Sequence, residues 1–195
     1  MLVPALTDPS PFVRRVAREE LAKLGHDIPD GVVTPRAPVV ALELPHYAEN
    51  PLVDVVTTRG TLRLELLPSE APLHVHNFLT LAARDHYDQT PWHRVVPDFV
   101  AQGGDYRRDG NGGGTWRGRD EALRHEIGPR KYVRGSLGMP RNEDPDSGGS
   151  QIFLTHRATP HLDGRYTIFG ELRDGFDVLD NLEVGDLILD VVRIR

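Results

Sequence analysis

From residue 51 onward the chain carries short runs in which apolar and polar side chains alternate. Val53 and Val55 open one run; Leu62, Leu64 and Leu66 alternate with Arg63 and Glu65 in the next, and Arg59-Gly60 lies between them. A period of two buries one face of a strand, and a short glycine-containing link closes a hairpin. Pro68 ends the pattern. The spacing then changes to helical over residues 71–85, with Val75, Phe78, Leu79 and Ala82 pointing inward, and a shorter helix is predicted over residues 176–182. Further strands are predicted near Val95, Phe99, Ser136, Ile152, Thr167 and Leu189. Many short strands separated by turn residues describe a mainly β fold closed into a barrel, which leaves no sheet edge exposed.

The first quarter of the chain has a different pattern. Over residues 10–25, Val13, Val16, Ala17, Leu21 and Leu24 recur at helical spacing, and the other faces hold Arg14, Arg15, Arg18, Glu19, Glu20 and Lys23. This predicts an amphipathic helix with Ser10 as N-cap, Pro11 in the first turn and Gly25 as the stop. Residues 26–50 hold Pro29, Pro35, Pro38 and Pro45 and read as an extended connector. The expected organisation is therefore a helical segment (1–25), a Pro-rich connector (26–50) and a β domain (51–195).

Composition narrows the class. At 195 residues, with 38% hydrophobic and 27% charged side chains, the chain suits one modest domain plus an extra piece. The net charge is −6 and basic residues are scattered among acidic ones, so nucleic acid is not an expected partner. The sequence has no cysteine, which removes disulfides, thiolate nucleophiles and Cys-ligated zinc. No apolar run is long enough to span a bilayer, and the first ten residues do not have the pattern of a signal peptide, so no membrane partner is expected and the default location is cytoplasmic.

The chemistry concentrates in the run WHRVVPDFVAQGGD, which begins at Trp92. It places Arg94 among Val95, Val96, Phe99 and Val100, with Pro97 and Asp98 suited to a tight turn. Such a hairpin lines an apolar pocket and leaves one guanidinium at its rim. The run closely resembles the signature of the cyclophilin peptidyl-prolyl isomerases. Three further segments resemble that family in the same order: GSLGM (135–139), SGGSQIFLT (147–155) and HLDGRYTIFG (161–170). The resemblance implies an eight-stranded antiparallel barrel capped by two helices, catalysis of rotation about X-Pro bonds without a cofactor, and proline-containing peptides and unfolded or flexible protein segments as substrates. It assigns Arg94, Phe99 and Gln102 to catalysis. It gives substrate contact to His93, Val100, Met139, Pro140, Arg141, Gln151, Phe153, His161, Leu162 and Tyr166, the last a tyrosine as in bacterial-type members. Two departures stand out. His161 replaces the tryptophan of cyclosporin-sensitive members, so weak cyclosporin binding is expected. Pro140-Arg141 replaces an Ala-Asn pair whose backbone grips the substrate, and proline has no amide hydrogen. The segment DPSPFVRRVAREELAKLG also resembles the second helix of a HEAT-type repeat, so residues 10–25 are expected either to dock on the downstream domain as an ordinary helix or to belong with a helical-repeat partner.

Competing readings have less support. A proline-peptide-binding adaptor with little turnover is the main alternative. His74 and His76 are two apart and do not share a helix face, so they are not expected to bind metal. The glycines around 112–114 lack the Gly-Lys-Ser/Thr of a phosphate loop, and Ser150 does not sit in a nucleophile elbow.

Overall fold

The computed structural model describes residues 3–7, 11–27, 43–119 and 121–195. The predicted N-cap Ser10 and most of the Pro-rich connector lie outside the described residues. The chain divides into two compact units, Met1–Glu43 and Leu44–Arg195.

In the first unit a 3-10 turn (Pro4–Thr7) precedes helix α1 (Pro11–Lys23). Leu6, Ala17 and Leu21 are buried together. The helix stops where predicted: Gly25 has φ +71°, its N–H donates to the Ala22 carbonyl at 3.1 Å, and the His26 N–H donates to the Leu21 carbonyl at 3.0 Å. This is a Schellman closure, in which a left-handed glycine lets the chain turn back on the last carbonyls. Leu24 does not join the apolar stripe. It follows the last helical residue and is 62% exposed.

The second unit is one antiparallel sheet with two helices packed on it. Strands β1 (Leu52–Thr57) and β2 (Gly60–Leu66) form the predicted hairpin, burying Val53, Val55, Leu62, Leu64 and Leu66 on one face. The remaining strands are β3 (Thr90–Pro91), β4 (Arg94–Val96), β5 (Val100–Gly103), β6 (Ser136–Gly138), β7 (Ile152–Thr155), β8 (Ile168–Asp174) and β9 (Leu187–Arg193). Their order is β3-β9-β1-β2-β8-β6-β7-β5-β4, which makes nine strands rather than eight because of the two-residue β3. The ends of this order, β3 and β4, are neighbours in the chain, so the link Trp92-His93 joins the two edges of the curled sheet covalently. Trp92 is fully buried there, its N–H donates to the Asp186 carbonyl at 2.8 Å, and its ring lies against Gly103.

Helix α2 (Pro72–Ala82) ends three residues short of the prediction, because Asp85 takes a left-handed conformation (φ +55°) and closes the last turn. Its buried side chains are His74, Val75, Asn77, Phe78 and Leu81; Leu79 and Ala82 are half-buried. Phe78 meets Phe169 of β8, with ring centroids 5.8 Å apart. No side chain from its own flank caps α2. Instead Glu126, from a distant loop, accepts the backbone N–H groups of Leu73 and His74, each at 3.1 Å, and lies 2.7 Å from His74 Nδ1. A carboxylate in that place satisfies orphan amides and complements the helix dipole. Helix α3 (Phe176–Asp180) packs Val178 against Gly60 of β2, and an added Cβ at Gly60 would come within 2.7 Å of it. No described helix is long and apolar enough to cross a membrane.

Replacing Glu126 with Ala strands two helix amides and a buried imidazole nitrogen. A loss of about 1–3 kcal/mol is expected, measured as a lower urea midpoint with m unchanged, and amide exchange of α2 should accelerate more than that of β1 and β2.

Candidate active site

Arg94 opens β4 directly opposite Gln102 of β5. The connection between these strands is the predicted tight turn: the Phe99 N–H donates to the Val96 carbonyl at 3.0 Å, Pro97 precedes Asp98, and Asp98 has φ +59°. Proline followed by a left-handed residue is the type II arrangement. The turn brings Phe99 back under Arg94, whose guanidinium carbon lies 5.5 Å from the ring centroid. Arg94 is exposed and makes no ion pair among the described residues. Its charge therefore remains uncompensated above an aromatic face.

Beside it is a cavity of about 200 Å³. Phe99, Val100, Phe153, Leu162 and Tyr166 give it apolar walls; Arg94, Gln102, Pro140 and Arg141 form the rim. Phe153 reaches the site because β7 pairs with both β5 and β6, which sets it opposite Gln102 on one side and Gly138 on the other. Tyr132 stacks on the Phe153 ring at 5.6 Å and is tied down by its hydroxyl, which donates to the Thr167 carbonyl at 3.0 Å. Burial pushes the Tyr132 phenol far above its ordinary pKa, so it remains a neutral donor. Arg141 stacks over Tyr166 at 4.6 Å and donates to the Arg165 carbonyl at 3.1 Å and the Asn142 carbonyl at 2.7 Å.

A second cavity of about 340 Å³ shares Gln102, Pro140 and Arg141 with the first, and Gln151 lines it with glycines of the 110–114 loop. Gln102 Nε2 donates to Gln151 Oε1 at 2.8 Å, and Gln151 Nε2 donates to the carbonyls of Gly110 at 2.9 Å and Gly112 at 2.6 Å. The loop is held from inside by Asp105, which is fully buried and accepts N–H bonds from Arg107, Asp109 and Gly110 at 2.8, 3.1 and 2.6 Å. Burial alone would raise the pKa of this carboxyl, but the backbone donors outweigh it and hold the group below the usual carboxylate range.

Nine of the thirteen residues singled out in the sequence thus line the first cavity, and Gln151 lines the second. Three are placed differently. Met139 is buried beneath the 147–149 segment, where its sulfur accepts the Gly149 N–H, because β6 turns its side chain toward the core. His93 lies behind the site against Gly110, and burial lowers its pKa. His161 is exposed and rests on the outer face of Phe99 with centroids 5.3 Å apart, so it touches the wall without lining the cavity. Among the described residues no group of three or more His, Cys, Asp or Glu side chains is arranged to hold a metal ion.

Several residues that shape the site were given no role from the sequence. Asp105 ends the QGGD run but carries no periodic signal. Tyr132 lies in a stretch without alternation, and Asn77 hides among apolar helix residues while bonding the Trp116 N–H and the Gly149 carbonyl, both at 2.9 Å. Gly138 is needed by shape: an added Cβ would collide with the Phe153 ring and the Tyr132 hydroxyl. Gly138→Ala is therefore expected to push Phe153 into the cavity and cost about 1–3 kcal/mol. Thermal melting reads the cost, and ring chemical shifts of Phe153 read the displacement.

The chain matches the family model for the cyclophilin type peptidyl-prolyl cis-trans isomerase/CLD over residues 52–194. It is 40% identical over 147 residues to a peptidyl-prolyl cis-trans isomerase of Helicobacter pylori, covering 74% of this chain and 88% of the relative. It is 43% identical over 128 residues to the peptidyl-prolyl cis-trans isomerase-like 1 of Neurospora crassa, covering 65% and 77%. Among solved structures, a cyclophilin type peptidyl-prolyl cis-trans isomerase of Cryptosporidium parvum superposes with a TM-score of 0.70 at 35% identity, covering 75% of this chain and 98% of that one. The same protein in the presence of the dipeptide Ala-Pro superposes with a TM-score of 0.69. The curled antiparallel sheet, the Arg94 hairpin and these likenesses agree, and the chain belongs to the cyclophilin-type peptidyl-prolyl cis-trans isomerases, a family of isomerase enzymes.

Proposed function

We propose that Arg94 is the catalytic group of this isomerase and that the 200 Å³ cavity receives the substrate proline. The observation that carries this reading is the uncompensated Arg94 guanidinium poised over Phe99 at the mouth of an apolar cavity. Rotation about a peptide bond is opposed by roughly 18–20 kcal/mol, because the nitrogen lone pair is delocalised into the carbonyl. In the twisted transition state that lone pair is localised and becomes an acceptor. A fixed donor beside the nitrogen binds the twisted state more tightly than either planar one. The guanidinium offers several donors in a rigid plane and transfers no proton. The apolar walls add to this, since the planar amide is more dipolar than the twisted one and loses more on leaving water.

The other rim residues have supporting parts. Gln102 has its Nε2 committed to Gln151, which leaves its carbonyl oxygen toward Arg94 or the substrate backbone. Pro140 has no N–H to offer, but the Arg141 N–H donates to no protein group among the described residues and can pair with a substrate carbonyl. The substrates of this reading are X-Pro bonds in flexible or unfolded protein segments, where uncatalysed exchange is slow. The crystallised relative studied with Ala-Pro supports a proline ligand in this cavity. For the first unit, the resemblance of its helix to a HEAT-type repeat supports a helical-repeat partner; the Leu6, Ala17 and Leu21 cluster is already buried and holds that piece together.

Arg94→Ala should remain folded and lose about a hundredfold or more in kcat/KM toward an Ala-Pro peptide, measured by NMR exchange. A folded wild type that does not accelerate exchange would refute the assignment. Because the mechanism moves no proton and burial keeps His93 neutral, kcat/KM should be flat from about pH 7 to 9. Cyclosporin should bind weakly, since His161 offers neither the area nor the indole donor of tryptophan; restoring the indole with His161→Trp should tighten binding, as read by calorimetry.

A further inference from the structure

A third cavity, of about 260 Å³, adjoins the second and shares Gly113 and Gly114 with it. Its chemistry differs from that of the other two. Arg84, Arg117 and Arg119 line it with His86, and no carboxylate does so among the described residues. Arg117 lies over the Trp116 ring at 5.0 Å and Arg119 over the Tyr106 ring at 4.9 Å. Neither guanidinium makes a hydrogen bond or an ion pair among the described residues. Arg84 uses one nitrogen on the Trp116 carbonyl at 2.8 Å and pairs with no acid. His86 Nε2 is enclosed and unpartnered, and burial together with Arg119 lowers its pKa. Elsewhere on this unit several arginines are matched: Arg59, Arg63, Arg130, Arg134 and Arg173 each meet a carboxylate. In a chain of net charge −6, three arginines around one hollow that meet no carboxylate among the described residues are a local excess of positive charge.

The cavity is built on ordered backbone. Thr115 and Gly118 exchange both backbone hydrogen bonds, at 2.8 and 3.0 Å, and Asn77 of α2 accepts the Trp116 N–H. Stacking on Trp116 and Tyr106 fixes the guanidinium planes, so little side-chain freedom is lost when an anion arrives. The three cavities form a row, apolar then polar then cationic, joined by shared lining residues. The middle one, if equidimensional, is about 7 Å across, or two residues of extended chain at roughly 3.3 Å each.

We infer that the cationic cavity is a remote specificity subsite, which takes an acidic side chain, carboxylate or phosphoryl, lying about three or four residues from the isomerised proline in an extended substrate. The inference rests on the first cavity being the proline site. A surface anion meeting several fixed guanidinium groups gains charge-assisted hydrogen bonds that an isolated ion pair lacks.

The test uses short blocked peptides with one Ala-Pro, in which a single Glu or phosphoserine is moved outward on either side of the proline. Dissociation constants and exchange rates are measured with the full chain and with the Arg117→Gln/Arg119→Gln double variant. An acid at one favoured spacing should tighten binding about three- to tenfold, more for phosphoserine than for Glu, and the gain should vanish in the double variant and in concentrated salt. The neutral parent peptide should bind and exchange equally with both proteins, which shows that the variant is folded. If the neutral peptide is turned over but no acidic position improves binding, or if the gain survives in the double variant, the subsite is refuted while the proline site stands. If the neutral peptide is neither bound nor turned over by the wild type, the proline-site reading fails and takes the subsite with it. An oligouridylate or inorganic phosphate that binds through Arg117 and Arg119, when acidic peptides gain nothing, also refutes it.

Discussion

A buried carboxylate without a cationic partner underlies the whole site. Asp105 is satisfied by backbone N–H groups alone, and those donors must curl the chain around it. The curl aims the Gly110 and Gly112 carbonyls at Gln151; Gln151 in turn receives Gln102, and Gln102 stands across the hairpin from Arg94. One costly burial thereby sets the shape of the loop that follows it and, through two amides, the environment of the Arg94 guanidinium. The arrangement also explains one glycine of the loop: a side chain at Gly112 would occupy the space of the Asp105 carboxylate.

The distribution of charge follows a related logic. Arg130 bridges Glu70 and Glu171, Arg173 meets Glu65 and Glu171, and Arg59 meets Glu183 and Asp186. In these pairs the arginines reach solvent while most of the carboxylates are half-buried, and together they neutralise the outside of the sheet. Arg94 and the three arginines around the third cavity are among those that meet no carboxylate among the described residues, and they line cavities joined by shared residues. Keeping a guanidinium unpaired costs little in water, so the charge remains available to a ligand without first breaking an internal bond.

Much of this was legible in the sequence wherever periodicity or a dense motif spoke. The alternation at Val53, Val55, Leu62, Leu64 and Leu66 reports burial on one sheet face directly, and the Pro97-Asp98 turn follows from the backbone preferences of two residues. The strand count and the end of α2 were less readable. β3 is held by two residues paired to β9, and α2 stops at a left-handed aspartate where glycine would have been the readable signal. The inward faces of His74 and Asn77 were invisible for a different reason. A polar residue can be buried when its partner comes from far along the chain, as Glu126 does for His74 and Gly149 for Asn77, and no local pattern encodes that. The third cavity shows the same limit: Arg84, His86, Tyr106 and the 115–119 turn are separate in sequence and meet only in the fold.

The Pro140-Arg141 pair shows how a departure from a family pattern is absorbed. Proline removes one donor from the rim but fixes the backbone where the first and second cavities meet. Arg141, unlike Arg94, is engaged by protein groups. Its guanidinium is folded back over Tyr166 and bound to the carbonyls of Arg165 and Asn142, so it braces the 141–148 loop against the cavity wall. That loop is acidic, with Glu143 and Asp146 exposed and Asp144 half-buried, and it is also held by bonds of its own from Ser147 and Asn142. Pro140 withdraws a donor while Arg141 holds the rim in place, and at the first cavity the Arg94 guanidinium makes no ion pair among the described residues.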